Sequence, residues 1–168
     1  MSGEDMQQVF RLAMRRVAST VAIVSAQHDG EQHGTTATSV TSISMEPPSL
    51  LVCFNQASRL HHFLHEQERF CINMLHTSNL DVAKIFSSNA TASERFAVGD
   101  WRQNAEGVPY LADAQASLFC GKEQEINYGS HTIFIGRVVQ ALAREDISPL
   151  VYRDGRYGAV APDMVPVK

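Results

Sequence analysis

Apolar residues recur every three or four positions over residues 5–18, DMQQVFRLAMRRVA, at Met6, Val9, Phe10, Ala13, Met14 and Val17. That spacing predicts an amphipathic helix, with Asp5 as a candidate N-cap. The period then changes. Residues 19–26, STVAIVSA, are β-branched and mostly apolar, and they predict a buried strand. The polar stretch 28–34 carries Asp29-Gly30, a hairpin turn signal, so the chain should double back there. Further buried strands are expected over SLLVCFN (49–55) and RFCINML (69–75). Short helices are expected over 59–67, capped by Ser58, and over 80–88, opened by Ser78 or Asn79. Residues 89–109 read as irregular, with turns at Gly99-Asp100 and Gly107-Val108-Pro109. A strand ending in a turn is expected over 116–130, a long β-branched run follows over 131–145, and a hairpin around Asp154-Gly155 closes the pattern. About six strands with two or three helices suggest a closed or partly closed barrel with helices outside.

One stretch does not fit simple alternation. In GTTATSVTSIS, residues 34–44, seven of the ten residues after the glycine are Thr or Ser. If it is a strand, Thr36, Thr38 and Val40 share one face, and Ala37, Ser39 and Thr41 share the other. A Thr-rich strand facing solvent is the plain explanation, since Thr favours strands anyway. Yet both faces are small or hydroxylic, as expected where a ligand approaches the backbone. Hydroxyls both donate and accept. Beside free backbone N–H groups they suit a phosphate, or a ring bearing carbonyls and N–H groups; flavin mononucleotide has both features. At 45–48, MEPP ends the strand, because proline lacks the ladder donor.

Composition narrows the function classes. A chain of 168 residues with 44% apolar content suits one domain, residues 1–168, with a real core. The net charge of −4 and the lack of a Lys/Arg block argue against nucleic acid as a partner. No apolar run approaches membrane-spanning length, and MSGEDMQQVF does not resemble a signal peptide. Cys53, Cys71 and Cys120 are odd in number and lack CxxC spacing, which suits reduced thiols and a cytoplasmic location. No GxGxxG is present, so a doubly wound nucleotide fold is not supported.

The segment GTTATSVTSISMEPPSLLVCFN resembles the leading signature of the flavin reductase family: a glycine, a Thr-Ala-x-Ser core, a Pro-Pro corner and an apolar strand ending in Asn. GSHTIFIGRVV (129–139) is similar to the family's Gly-x-His-x-x-x-x-Gly-x-Val segment, and PLVYRDGRYGAV (149–160) to its closing hairpin. The opening FRLAMRRVASTVAIVSA also resembles the usual first helix and strand, so the matches cover nearly the whole chain in order. The resemblance implies a mainly β fold, a six-stranded split β-barrel that binds FMN, flanked by a few α-helices. It implies a homodimer and an NAD(P)H:flavin oxidoreductase, the small component of a two-component monooxygenase such as an aromatic hydroxylase. FMN or FAD would be reduced by NADH or NADPH and passed to the oxygenase.

Carried over residue by residue, the resemblance nominates Thr36, Ala37, Thr38 and Ser39 on the hydroxyl strand, and Cys53, Phe54, Asn55 and Ser58 at the next strand's exit, to clasp the flavin. Phe86 would lie beside the ring, Arg95 near a phosphate, and Tyr157 near the nucleotide, with Arg156 beside it. His131 would hold the nicotinamide nucleotide over the flavin; relatives mostly carry Asp where Ser130 stands. Each residue also has an ordinary reading: core for Cys53 and Phe86, strand cap for Asn55, ion pairing with Glu94 or Asp100 for Arg95, an exposed hairpin for Tyr157, and a capping or surface role for His131.

Two rivals remain. HHFLH places His61 and His65 on one helix face, as zinc ligands often are, but no third ligand or HExxH glutamate accompanies them, so no metal site is assigned. Alternatively, the same barrel could bind flavin or another cofactor without turnover. NADH consumption with and without added FMN separates the two.

Overall fold

The computed structural model describes residues 3–161. From the N-terminus the elements are α1 (Gly3–Met14), β1 (Ser19–Thr20), β2 (Ala22–His28), β3 (Glu31–Ala37), β4 (Val40–Met45), β5 (Pro48–Asn55), α2 (Arg59–Glu66) and β6 (Arg69–Met74). A single 3-10 turn (Thr77–Asn79) then leads to α3 (Leu80–Phe86), α4 (Ala92–Phe96), β7 (Trp101–Gln103), β8 (Pro109–Leu111), β9 (Ala116–Tyr128), β10 (His131–Ala143), β11 (Leu150–Arg153) and β12 (Arg156–Ala159).

The main sheet has seven strands in the order β3-β2-β6-β9-β10-β5-β4, one more than the resemblance implies. Its two outermost strands, β3 and β4, are consecutive in the chain and are joined only by Thr38 and Ser39. So short a link spans no more than roughly 10 Å even when extended. The two sheet edges must therefore meet at that link, and the sheet curls into a barrel. The hydroxyl-rich stretch is thus two strands, not one, with its middle at the barrel's seam.

Both hairpins expected from Asp-Gly pairs form. Asp29 and Gly30 have φ of 49° and 80°, and Asp154 and Gly155 have φ of 51° and 78°. Positive φ at both central positions matches the twist of the flanking strands, and Asp-Gly tolerates it. The apolar run in β2 is explained by burial on both faces. Val24 joins the cluster of Val52, Leu60, Leu64, Phe70 and Phe134, while its neighbour Ile23 joins Leu75, Val82, Phe86 and Leu111. Buried Asn73 ties four strands together. Its amide donates to Ile23 O and Ser25 Oγ, both at 3.0 Å, and its Oδ1 accepts from Leu111 N at 2.8 Å and Ser117 Oγ at 3.2 Å. At Gly136 a Cβ would stand 2.6 Å from Phe70 Cζ and 2.9 Å from Cys120 Cβ, so the Phe70 ring crosses β10 only where no side chain exists.

Several expectations change. Residues 89–109 are not irregular throughout: α4 begins with a capping box, Thr91 Oγ1 accepting from Glu94 N and Glu94 accepting from Thr91 N, and β7 follows. The N-terminal helix ends at Met14, and none of its residues is buried, so its apolar stripe (Met6, Val9, Phe10, Met14) faces outward. The helix over 80–88 stops at Phe86. Among the described residues, no helix is long and apolar enough to cross a membrane. The three cysteines are free thiols.

Candidate functional site

Beside the end of β3, where the seam link begins, lies a cleft of about 490 Å³, the seam cleft. One wall is Thr36, Ala37 and Thr38 at the end of β3; the other is Tyr152 and Tyr157 from the β11–β12 hairpin, with Ser87 at the end of α3. Hairpin register sets the tyrosines opposite each other, and their rings meet edge-on at 5.3 Å between centroids. The Tyr157 hydroxyl donates to Ser87 Oγ at 3.4 Å. A hydroxylic wall therefore faces an aromatic one. Thr38 and Ser39 lie outside both strands of the barrel ladder. Such a cleft can take a flat ring with polar edges, stacking on one side and hydrogen-bonding along the rim.

Ser39 turns away from this cleft and donates from Oγ to the Cys53 carbonyl at 3.0 Å, stitching the seam to β5. A second group of residues gathers where β5 ends. Asn55 lies directly across from His131 in the β5–β10 pairing, and Cys53 lies across from Ile133. Both Asn55 and His131 are exposed. Asn55 Oδ1 accepts from Ala57 N at 2.9 Å, and Ser58 caps α2 by accepting from His61 N at 3.2 Å. The His131 ring lies 2.9 Å from Ser130 Oγ through Nδ1. His131 therefore sits at the β5–β10 corner, while Thr36, Ala37, Thr38 and Tyr157 line the seam cleft; Ser39 and Cys53 connect the two neighbourhoods.

The remaining candidates lie behind the cleft. Phe86 is fully buried and stacks on Trp101 at 5.0 Å between centroids. A Cβ at Gly34 would stand 2.9 Å from Phe86 Cε1, so β3 presses onto this ring through a glycine. Phe54 is a core residue at 6% exposure. Arg95 donates to Gly34 O at 2.9 Å and to Ser88 O at 2.7 Å, fastening β3 to the end of α3. Burial holds its guanidinium pKa below the ordinary arginine value. Neither expected ion pair forms: Glu94 turns to Thr91, and Asp100 to Arg102. His61 and His65 stack at 6.3 Å; His61 Nε2 lies 2.8 Å from Thr132 Oγ1 and His65 Nδ1 lies 2.8 Å from Glu125 Oε2.

Sequence reasoning missed Ser87 and Tyr152. Tyr152 could have been found by pairing the hairpin about Asp154-Gly155, which sets it across from Tyr157. Nothing in the sequence near Ser87 marks it.

Residues 14–161 match the family described as Flavin reductase like domain. The chain is 42% identical over 161 residues to the reductase component of an FADH2-dependent resorcinol hydroxylase from Rhizobium sp. strain MTP-10005, covering 95% of this chain and 90% of that one. It is 33% identical to an NADH-dependent FMN reductase, RutF, of Pseudomonas syringae pv. syringae, covering 90% of this chain and 85% of the relative. Among solved structures it resembles the NADH:FAD oxidoreductase SgcE6 of Streptomyces globisporus C-1027, in complex with NAD and FAD fragments, with a TM-score of 0.87 at 29% identity and 97% of each chain covered.

Proposed function

The chain belongs to the flavin reductase like domain family, and from that premise we propose that it reduces FMN or FAD with NADH or NADPH and supplies reduced flavin to a partner monooxygenase. Aromatic hydroxylation is the best-supported partner chemistry, because a relative of 42% identity serves a resorcinol hydroxylase. We read the whole chain as one such domain, cytoplasmic and homodimeric. Exposed apolar residues on the strands, among them Ile43, Met45, Ile126 and Tyr128, support the dimer.

The observation that carries the site assignment is the seam cleft, with short hydroxyls opposite two tyrosines. Its donors and acceptors fit the rim of an isoalloxazine, and its aromatic wall fits the face. When both partners are bound, the nicotinamide supplies a hydride and the flavin accepts it. The protein's task is then to bind, orient and exclude water. In this reading Thr36 and Thr38 hydroxyls fix the ring edge, Ala37 leaves room for close approach, and main-chain N–H groups at the seam face developing negative charge. Asn55 and Cys53 border the ring from the β5 side, and Ser58, which already accepts one N–H, turns the chain beneath them. Phe86 and Arg95 act from behind, holding β3 flat at Gly34. His131 orients the nicotinamide nucleotide from the facing strand. None of these roles requires an acid or base at the hydride step.

Steady-state NADH and NADPH oxidation, measured with riboflavin, FMN and FAD, tests the proposal. Turnover that depends on added flavin is expected. A protein that binds flavin but never oxidises either nicotinamide is instead the non-catalytic binding module.

A further inference from the structure

We propose that His61 of α2 is a positioning residue: through Thr132 it holds the β9–β10 turn in place, and so sets His131 where the nicotinamide nucleotide needs it. The inference rests on the reading that His131 orients that nucleotide. It gives a function to one histidine of the HHFLH run.

Little else holds the turn. β9 ends at Tyr128 and β10 begins at His131, with Gly129 and Ser130 between, and all four residues are exposed. One step inward, Thr132 pairs with Asn127 across the hairpin. Its side chain lies on the opposite face from His131 and is fully buried. The Thr132 hydroxyl donates to Asn127 Oδ1 at 2.7 Å. Its single proton is spent there, so the oxygen accepts from His61 Nε2, 2.8 Å away, and Nε2 is the protonated ring nitrogen. Burial, then the neighbouring His65, hold the His61 pKa below the ordinary histidine value against the opposing pull of Glu125, which keeps the ring neutral near pH 7. Gln56 Nε2 stands 3.5 Å from the same Thr132 oxygen, too far to replace that donor. Gln56 serves the turn from the β5 side instead, its main-chain N–H donating to Ser130 O at 2.9 Å and its amide to His131 O at 3.3 Å.

The donor is itself fixed. Ser58 caps the start of α2, and Lys122 Nζ donates to two carbonyls of its last turn, Leu64 O at 2.9 Å and His65 O at 2.6 Å. The His61 ring meets Phe134, a fully buried core residue, edge-on at 5.4 Å between centroids. A capped helix and the barrel core therefore anchor one end of a hydrogen-bonded chain, His61 to Thr132 to Asn127, whose other end is the turn bearing His131. Removing the His61 N–H leaves a buried hydroxyl oxygen without its near donor and frees the turn to open locally.

Hydrogen–deuterium exchange over residues 127–131, measured beside steady-state kinetics, tests this. H61F keeps an aromatic ring against Phe134 but has no donor, and T132V keeps the shape of Thr132 without its hydroxyl. H61Q restores an N–H near the place of Nε2, and T132S restores the hydroxyl. In H61F and T132V the turn amides should exchange about tenfold faster. The KM for NADH should rise about fivefold, with kcat and the flavin Kd changed by less than about twofold. H61Q and T132S should stay near wild type on every measure. Unchanged exchange in H61F and T132V overturns the proposal. So does an H61Q as impaired as H61F, because ring packing and not the N–H would then be at work. A loosened turn that leaves the KM for NADH unchanged, while H131A raises it, overturns it as well. If H131A also leaves that KM unchanged, the reading of His131 falls, and exchange alone decides whether His61 holds the turn.

Discussion

His131 and Asn55 face each other across β5 and β10, yet they are assigned different ligands, so their substitutions should separate. H131A is expected to raise the KM for NADH by about tenfold while changing the flavin KM far less. Equal effects on both would remove His131 from the nicotinamide. N55A should weaken flavin affinity in a fluorescence titration, and an unchanged Kd would remove it from the site. His33 makes a different prediction. Burial, then the Arg95 and Arg59 guanidinium groups, lower its pKa from 6.5 to about 4. Between those values the folded protein keeps the ring neutral, whereas the unfolded chain takes up a proton. The resulting stabilisation is complete above pH 6.5 and is lost as the pH falls toward 4. H33F should remove a loss on the order of 3 kcal/mol across that window. Urea unfolding at both ends of the window measures it, and a wild type and variant with the same pH dependence would contradict it.

At the scale of elements, Asn73 carries more than its size suggests. N73A leaves the Leu111 N–H and the Ser25 and Ser117 hydroxyls to find new partners. Its expected cost is about 3 kcal/mol in urea unfolding; a loss below about 1 kcal/mol would mean that water replaces the network. Most strands were legible because their cause is local. VAIVSA and SLLVCFN are apolar runs bounded by turn residues, and the two Asp-Gly pairs fix hairpins. The seam was not legible. GTTATSVTSIS has strand propensity throughout, so its division at Thr38-Ser39 depends on the sheet's closing on itself, which is not a local property. A different limit hid α4: five helical residues are too few to establish a period, although its capping-box pair, Thr91 and Glu94, is a local signal. Of the candidate site, the hydroxyl stretch stood out from its residues, and resemblance nominated Tyr157 and His131; the structure sets Tyr157 on the cleft, His131 at the β5–β10 corner, and Phe86 and Arg95 behind β3.

At the scale of the molecule, the barrel brings together what the chain keeps apart. The arginines at 11–16 and 153–156 form no basic run in the sequence, and only the packing of α1 beside the closing hairpin makes them a patch. The outward stripe of α1 and the exposed Ile43, Met45, Ile126 and Tyr128 leave apolar surface for a second copy. Sedimentation at micromolar concentration should therefore show a dimer, and a monomer at high concentration would contradict that assembly. Everything proposed for the site depends on where flavin lies. A crystal structure of the protein with FMN should show the isoalloxazine in the seam cleft, its rim on Thr36–Thr38 and its face toward Tyr157. A ring bound elsewhere, with that stretch open to bulk water, would contradict it.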